Sequence, residues 1–209
     1  MTPHLLATPL SHFARKLRIL LAELEVDYEL SYLPSVLGRD PHAFADNPLM
    51  RVPAWRDDEG TWFESDHIAR RVVARFDPHD RFGVRSERLD DLNRLAVISG
   101  IMANEVVLVL ARRSGSTEVD SNAYFQKLAL AIEGGLAWLD ERITLAAPLD
   151  YRDMALVAMW QHANHYELVR ATYPRIAARV AELAHRPSVA ETAPEAALAA
   201  ARASGWQPG

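Results

Sequence analysis

Hydrophobic positions in the first part of the chain switch between the spacing of strands and the spacing of helices. A short apolar run at residues 5–7 predicts a strand, and Tyr28, Leu30 and Tyr32 alternate as in a second strand. Between them, apolar residues recur every three or four positions and predict a helix: Phe13, Leu17, Leu20, Leu21 and Leu24. Charged residues are assigned to the other faces of this helix: Arg15, Lys16, Arg18, Glu23 and Glu25.

The next segment predicts a hairpin followed by a helix. Residues 52–56 and 61–63 have strand character, and the acidic residues and glycine between them favour a tight turn. A helix then follows, with one apolar stripe formed by Ile68, Ala69, Val72, Val73 and Phe76. The predicted order of elements is therefore βαβ, a polar connection at residues 37–48, and ββα.

The rest of the chain keeps the helical spacing. Two long apolar stripes each predict a helix: Leu92, Leu95, Ala96, Met102, Ala103, Val106, Val109 and Leu110, and then Phe125, Leu128, Ile132, Leu136, Leu139 and Ile143. A third helix at residues 151–168 is apolar on most faces, and Asp150 with Asp153 predicts a capping box at its start. A further helix follows proline 174, and Ser188 with Glu191 is predicted to cap the last helix.

This change of pattern predicts two domains. Residues 1–78 form the βαβ-ββα domain, and residues 87–209 form an all-helical domain. Residues 79–86 are expected to be a linker, because the stretch DPHDRFG at residues 77–83 is polar and carries proline and glycine. A chain of 209 residues is long enough for both.

Composition excludes several classes of function. A net charge of -5 and an isoelectric point near 5.9 argue against a nucleic-acid partner, because phosphate binding needs a basic face. The longest apolar run, at residues 106–111, is far shorter than the ~20 residues that cross a bilayer, so no membrane span is expected. The first residues lack the basic and apolar segments of a secretion signal, so a cytoplasmic protein is expected. The chain has no cysteine, so any thiol would arrive with a ligand.

Two places in the first domain suggest a binding site. Pro53 falls in the third predicted strand, where a missing N–H group is tolerated only at an edge, at a bulge or beside a binding surface. Glu64, Ser65 and Asp66 fall where a helix begins, and its free N–H groups and positive dipole end form an anion site. Plain N-capping also accounts for the serine and the aspartate.

These motifs, in this order, resemble the soluble glutathione S-transferases. The segment NPLMRVPAW is similar to that family's Asn-Pro-x-Gly-x-Val-Pro segment, and WFESDHIARRV to its Glu/Asp-Ser-x-x-Ile helix start. The stretch PLSHFARKLRILLAELEVDYEL is similar to the Ser-Pro-Phe-x-x-Lys/Arg-Val-Arg opening of serine-type members, especially small bacterial ones. The resemblance covers nearly the whole chain and implies a thioredoxin-like α/β N-terminal domain followed by an all-α helical bundle.

The resemblance implies that glutathione is the co-substrate and that the first domain binds it. The implied binding residues are Arg51, Val52, Pro53, Glu64, Ser65 and Asp66. A cis bond before the proline would turn the Val52 backbone outward to pair with the extended tripeptide, and Arg51 would pair with the glycyl carboxylate. Ser65 would bind the γ-glutamyl carboxylate, while one of the two flanking acidic residues would accept a hydrogen bond from the ammonium group.

Ser11 is the implied catalytic residue, because it precedes the first helix and could donate its hydroxyl hydrogen to the ligand's sulfur. An ordinary thiol has a pKa of about 8.5, so thiolate formation at neutral pH needs such help. Capping of the helix by Ser11 is an equally good reading of the same position. His12 stands where the family usually has proline, and His12 or Thr8 could replace Ser11 as the group that activates the thiol.

The long first helix of the second domain is implied to line the pocket for a small hydrophobic electrophile. The residues expected there are Ser99, Met102, Ala103 and Val106. Trp206 could fold over that pocket, and a homodimer is implied. Two alternatives to conjugation stay open: a non-catalytic binding or regulatory module, and a glutathione-dependent isomerase of a maleyl-type keto acid. His162 and His165 lie on neighbouring helix positions, but no third ligand is evident, so no metal is expected.

Overall fold

The computed structural model describes residues 1–208 and divides the chain into two compact units. The first unit comprises Met1–Arg85 together with the segment from Arg186 onward, and the second comprises Ser86–His185. The first unit contains the sheet, and the second is built from helices. The predicted α/β thioredoxin-like domain followed by a helical C-terminal region is therefore confirmed.

A four-stranded sheet in the order β2-β1-β3-β4 forms the centre of the first unit. Its strands are β1 (His4–Ala7), β2 (Glu29–Tyr32), β3 (Ala54–Asp57) and β4 (Gly60–Phe63). β1 and β2 run parallel, while β3 is antiparallel to both β1 and β4. The turn between β3 and β4 pairs Asp57 with Gly60, whose φ of 134° is a conformation that residues with a Cβ rarely adopt.

Two helices of the first unit, α1 (His12–Glu23) and α2 (Ser65–Phe76), pack against each other. Of the predicted apolar stripe, Leu17, Leu20, Leu21 and Leu24 are buried, whereas Phe13 is half-buried. Much of the charged surface of α1 is buried too, because α2 and the short helix α7 (Pro187–Ala190) both pack on α1. Arg15, Lys16 and Arg18 therefore lie in the interior, with exposed fractions of 4%, 0% and 9%.

The segment from Arg186 onward is attached to the first unit by hydrogen bonds. Arg186 donates to both carboxylate oxygens of Glu23, at 2.9 and 2.6 Å. Near the end of the chain, Trp206 donates from its indole nitrogen to the carbonyl oxygen of Leu33 at 3.0 Å. The predicted helical domain at residues 87–209 includes this segment, whereas its contacts group it with the sheet.

The prediction that Ser188 and Glu191 cap the last helix is wrong. Ser188 lies inside α7, and its hydroxyl donates to Glu23 Oε1 at 2.5 Å. The last helix, α8 (Pro194–Ala203), begins with a proline, and no side chain caps it. Proline suits the first helical position because its missing N–H would have no partner inside the helix.

Replacing Arg186 with methionine is expected to destabilise the protein in a pH-dependent way. The hydrogen bond from Arg186 lowers the pKa of Glu23 below its ordinary value of 4.5. The pair therefore contributes its full stability above pH 4.5 and loses it as the pH falls through the lowered pKa of the folded protein. We expect urea unfolding to show a loss of about 1 kcal/mol at neutral pH and a smaller loss at about pH 3. Arg202→Met, an exposed arginine of the same segment, is the control; equal effects at both pH values would contradict the prediction.

The second unit contains four helices: α3 (Leu89–Arg113), α4 (Ala123–Asp140), α5 (Tyr151–His165) and α6 (Pro174–Leu183). The capping box predicted at the start of α5 is confirmed, since Asp150 Oδ1 accepts from the Asp153 N–H at 2.9 Å and Asp153 Oδ2 accepts from the Asp150 N–H at 3.4 Å. α5 ends before the predicted residue 168, because Glu167 takes a φ of 54° that a right-handed helix cannot contain.

α3 is long and apolar enough to cross a membrane by length and composition alone, with a mean hydropathy of 1.8 over 18 residues. The expectation that no segment reaches this limit is therefore wrong. Core helices of soluble bundles pass the same test, and α3 packs against α4 and α5. The contact with α4 is close at Gly135, where a Cβ atom would lie 2.8 Å from Ile101 Cδ1.

Candidate functional site

The junction between β1 and α1 carries the three residues predicted as thiol activators. Ser11 is the N-cap of α1: its Oγ accepts from the Ala14 N–H at 3.2 Å, and its own N–H donates to the Thr8 carbonyl at 3.1 Å. Its hydroxyl hydrogen can still donate, because a hydroxyl is both a donor and an acceptor. Thr8 is half-buried, and His12 is 2% exposed with its ring 4.8 Å from that of Phe13.

The loop before β3 is organised by Asn47, which is 3% exposed. Its side chain accepts from the Leu49 N–H at 3.0 Å and donates to the Arg51 carbonyl at 2.9 Å. Met50 takes a φ of 48°, a left-handed conformation that favours glycine, which is the residue that the resembling motif has at this position. In the sequence Asn47 stands out only as part of a motif, which does not indicate that it braces this loop.

The loop delivers Arg51, Val52 and Pro53 to the start of β3. Arg51 is exposed, Val52 is half-buried and Pro53 is buried. The Val52–Pro53 peptide bond is cis, and Pro53 lies immediately before β3 rather than inside it. Val52 makes no backbone hydrogen bond to any other residue in the described range 1–208.

The start of α2 is capped by Glu64, not by Ser65. Glu64 takes a φ of 70°, and its Oε2 accepts from the Asp66 N–H at 3.0 Å. Ser65 is 1% exposed and donates from Oγ to Glu64 Oε1 at 3.2 Å. Capping thus accounts for the glutamate of the motif. The N-cap is Glu64, one residue before Ser65.

Lys16 reaches this helix start from α1. Its Nζ lies 2.7 Å from Asp66 Oδ1, and the side chains of Lys16 and Asp66 are 0% and 26% exposed. The sequence does not indicate this pair, because its two members are fifty positions apart and a lysine among other charged residues of a helix is usually exposed to solvent. The resembling motif has a lysine or arginine three residues after its phenylalanine, and Lys16 occupies that position after Phe13. This match is the one signal in the sequence that points to Lys16.

Strand pairing brings these three segments to the same end of the sheet. Leu6 in β1 pairs with Ala54 in β3, so the residues that follow β1 lie beside those that precede β3. Ala54 also pairs with Phe63 in β4, so the residues that follow β4 lie at the same end. The Ser11 junction, the Val52 loop and the Glu64 helix start are therefore neighbours by topology, although they are far apart in sequence.

The four residues predicted for an acceptor pocket lie on α3 but differ in exposure. Met102 is fully buried, Ser99 and Val106 are half-buried, and Ala103 is exposed. The hydroxyl oxygen of Ser99 is buried and has no hydrogen-bond partner among the described residues. A cleft of about 570 Å³ elsewhere in this unit includes Leu108 and none of the four.

The two histidines considered for a metal have different surroundings. His162 is buried and its Nδ1 lies 2.6 Å from Glu105 Oε2, while burial raises the pKa of Glu105 well above its ordinary value. His165 is exposed and its ring lies edge-on to that of Tyr166, 4.9 Å between centroids.

Comparisons with known proteins agree with this architecture. Residues 10–75 match the family model described as glutathione S-transferase, N-terminal domain. A comparison with curated protein sequences finds no significant match.

Solved structures extend the similarity beyond the first domain. A glutathione S-transferase from Methylobacterium radiotolerans, in complex with glutathione sulfonate, is 26% identical with a TM-score of 0.76, covering 93% of this chain and 95% of that one. A glutathione transferase family member from Pseudomonas fluorescens Pf-5, with bound glutathione, is 25% identical with a TM-score of 0.73, covering 91% and 98%. A glutathione S-transferase from Methylobacillus flagellatus is 24% identical with a TM-score of 0.78, covering 92% and 100%.

The resemblance drawn from the sequence motifs is thus confirmed. Residues 10–75 match the glutathione S-transferase N-terminal domain model, and the chain has the glutathione S-transferase fold.

Proposed function

We propose that this protein binds glutathione in its first unit and transfers the glutathione sulfur to small electrophiles. The observation that carries the proposal is that three segments meet at the same end of the sheet: the Ser11 junction, the Val52 loop and the start of α2. Solved relatives at 26% and 25% identity hold glutathione sulfonate and glutathione, which supports the choice of ligand.

Val52 would bind the main chain of the tripeptide. Its N–H and C=O groups have no backbone partner within residues 1–208, so an extended peptide can pair with them as an added strand. Arg51 is exposed beside it and would bind the glycyl carboxylate. Pro53 shapes this edge, because it has no N–H group to offer to a neighbouring strand.

The γ-glutamyl end would bind at the start of α2. The free N–H groups of the first turn and the positive end of the helix dipole attract its carboxylate. The Ser65 hydroxyl, which now donates to Glu64, would turn to the ligand carboxylate. Glu64 and Asp66 supply the negative charge that attracts the neighbouring ammonium group.

Ser11 would stabilise the thiolate of bound glutathione. A hydroxyl that caps a helix with its oxygen keeps its hydrogen for a second partner, and the dipole of α1 also favours an anion there. The thiolate then attacks an electrophilic carbon, the carbon–sulfur bond forms, and the displaced group leaves with the electron pair. We keep Thr8 and His12 as alternative donors, because both lie within three residues of Ser11.

The acceptor would be a small hydrophobic electrophile held by α3 residues of the second unit. Ser99, Met102, Ala103 and Val106 share one face of that helix by their spacing. The buried Ser99 hydroxyl, without a partner among the described residues, is the polar group on this face. The cytoplasmic location and a role in detoxification remain predictions.

We also propose a homodimer that uses the exposed apolar stripe of α3. Leu89, Leu92 and Val107 are 75%, 43% and 37% exposed, which is costly for large apolar side chains on a single long helix. Light scattering should give about twice the chain mass of 23.4 kDa, and Leu92→Glu should give the mass of one chain. A wild-type protein of single-chain mass would contradict this assignment.

The function is tested by titration calorimetry with glutathione, followed by conjugation assays with an aryl halide, an epoxide and an activated alkene. Ser65→Ala should weaken glutathione binding about tenfold, because it removes a hydrogen bond to a charged group. Ser121→Ala, an exposed serine of the second unit, is the matched control. Absence of binding would reject the proposal, and binding without conjugation of any electrophile would favour the non-catalytic module.

A further inference from the structure

Lysine occurs only twice in this chain. Of the 23 basic side chains, all except Lys16 and Lys127 are arginines. Lys127 is exposed on α4, whereas the side chain of Lys16 has no exposed surface at all. An ammonium group loses its hydration when it is buried, so a fully buried lysine needs a partner that compensates for that loss.

The compensating partner belongs to the proposed glutathione site. Lys16 Nζ donates to Asp66 Oδ1 at 2.7 Å and also lies 5.6 Å from the centroid of the Phe13 ring. Asp66 is the second residue of α2, and its side chain is 26% exposed. The carboxylate therefore extends from a buried cation to the surface where the helix begins.

The two acidic residues at this helix start have different tasks. Glu64 uses Oε1 to accept from the Ser65 hydroxyl and Oε2 to accept from the Asp66 N–H, so both of its oxygens maintain the local turn. The carboxylate of Asp66 accepts from the buried Lys16 ammonium group, and its side chain is 26% exposed. Of the two, Asp66 is better arranged to receive a ligand.

We propose that Lys16 is a positioning residue, which fixes the Asp66 carboxylate as the acceptor for the α-ammonium group of the γ-glutamyl end. This assignment rests on the proposed function. The compact ammonium group holds one carboxylate oxygen from the interior, and the exposed part of the Asp66 side chain is the part that a ligand can reach. Lys16 thus makes the site selective for a ligand end that carries an ammonium group beside its carboxylate.

The selectivity separates this role from a purely structural one. Glutathione and glutaryl-cysteinyl-glycine differ only in the ammonium group, and both keep the carboxylate and the peptide. If Lys16 positions Asp66, its loss weakens binding of glutathione and leaves binding of the deaminated analogue almost unchanged. If Lys16 merely supports the fold, both ligands bind more weakly by the same factor.

The experiment measures the dissociation constants of both ligands by titration calorimetry. Lys16→Met, which keeps most of the length of the side chain and removes the charge, should weaken glutathione binding about tenfold and analogue binding less than about twofold. Lys16→Arg should restore most of the difference, and Lys127→Met should bind both ligands like the wild type. Asp66→Asn should remove the preference for glutathione, and adding Lys16→Met to it should have little further effect.

A second measurement uses the unaltered protein, so it holds even if Lys16→Met fails to fold. Labelling lysine at the ε-carbon gives two side-chain NMR signals, one for each lysine. Saturating glutathione should shift the Lys16 signal and leave the Lys127 signal in place, while the deaminated analogue should shift neither.

The outcomes distinguish this assignment from the proposed function. If the wild type binds neither ligand, the proposed function and the assignment both fall. If the wild type binds glutathione but Lys16→Met affects both ligands equally, or the Lys16 signal shifts equally with both, only the assignment is overturned.

Discussion

Replacing Arg179 with methionine is expected to lower the free energy of unfolding by about 3–5 kcal/mol, the usual cost of leaving one member of a buried ion pair alone. Arg179 and Asp153 have side chains that are 3% and 6% exposed. The guanidinium donates to both carboxylate oxygens, at 3.2 and 2.6 Å. Methionine replaces the apolar stem of Arg179 but leaves the Asp153 carboxylate in the interior without its cation.

Urea unfolding followed by far-UV circular dichroism measures this loss. Arg142→Met is the matched control, because Arg142 pairs with Glu141 at the surface and the loss of such a pair costs less than about 1 kcal/mol. Asp153→Asn added to Arg179→Met should recover part of the loss, because a neutral amide is less costly to bury. Equal effects of the Arg179 and Arg142 substitutions would contradict the buried-pair argument.

Replacing Ser11 with alanine is expected to lower the rate of conjugation about tenfold at pH 6.5, with a smaller loss at higher pH. The thiol of glutathione has an ordinary pKa of about 8.5, and a hydrogen bond to the thiolate worth about 1.4 kcal/mol lowers that pKa by about one unit. Without it, about tenfold less thiolate forms below both pKa values. Above about pH 9 the thiol is ionised in both proteins, so the rates should converge.

Profiles of kcat/KM against pH for the wild type and the variant test the size of this loss of rate and its decrease at higher pH. Ser11→Thr keeps the hydroxyl and should retain most of the activity. Asn122→Ala removes the cap of α4, where Asn122 Oδ1 accepts from the Tyr124 N–H at 2.9 Å, and should leave the profile unchanged. A larger loss for Thr8→Ala or His12→Ala than for Ser11→Ala would transfer the thiol-activating role to that residue.

Local signals in the sequence were sufficient for the parts of the fold that neighbouring residues determine. Ser11 and Asp150 cap helices where the sequence predicts, because capping needs only a few consecutive residues. Pro53 lies immediately before β3 and not inside the strand predicted at residues 52–56, because its missing N–H group limits where it can stand. The site segments could be identified because each is a short motif of this kind.

Long-range contacts could not be predicted in this way. Lys16 and Arg186 look like ordinary surface cations in the sequence, yet their partners come from distant segments. The face of α3 with Met102 and Ser99 follows from helical spacing, but spacing does not say what that face contacts. The longest uninterrupted apolar run does not reveal the membrane-like composition of α3, which becomes visible only as an average over 18 residues.

The first unit is discontinuous in sequence, since Met1–Arg85 and the segment from Arg186 onward belong to it together. During synthesis, α7 can cover α1 and Trp206 can bind Leu33 only after the whole second unit, Ser86–His185, has been made. The sheet emerges first but cannot complete its packing until the segment from Arg186 onward follows. Closure of the first unit therefore waits for the synthesis of the second, which is inserted between its two parts.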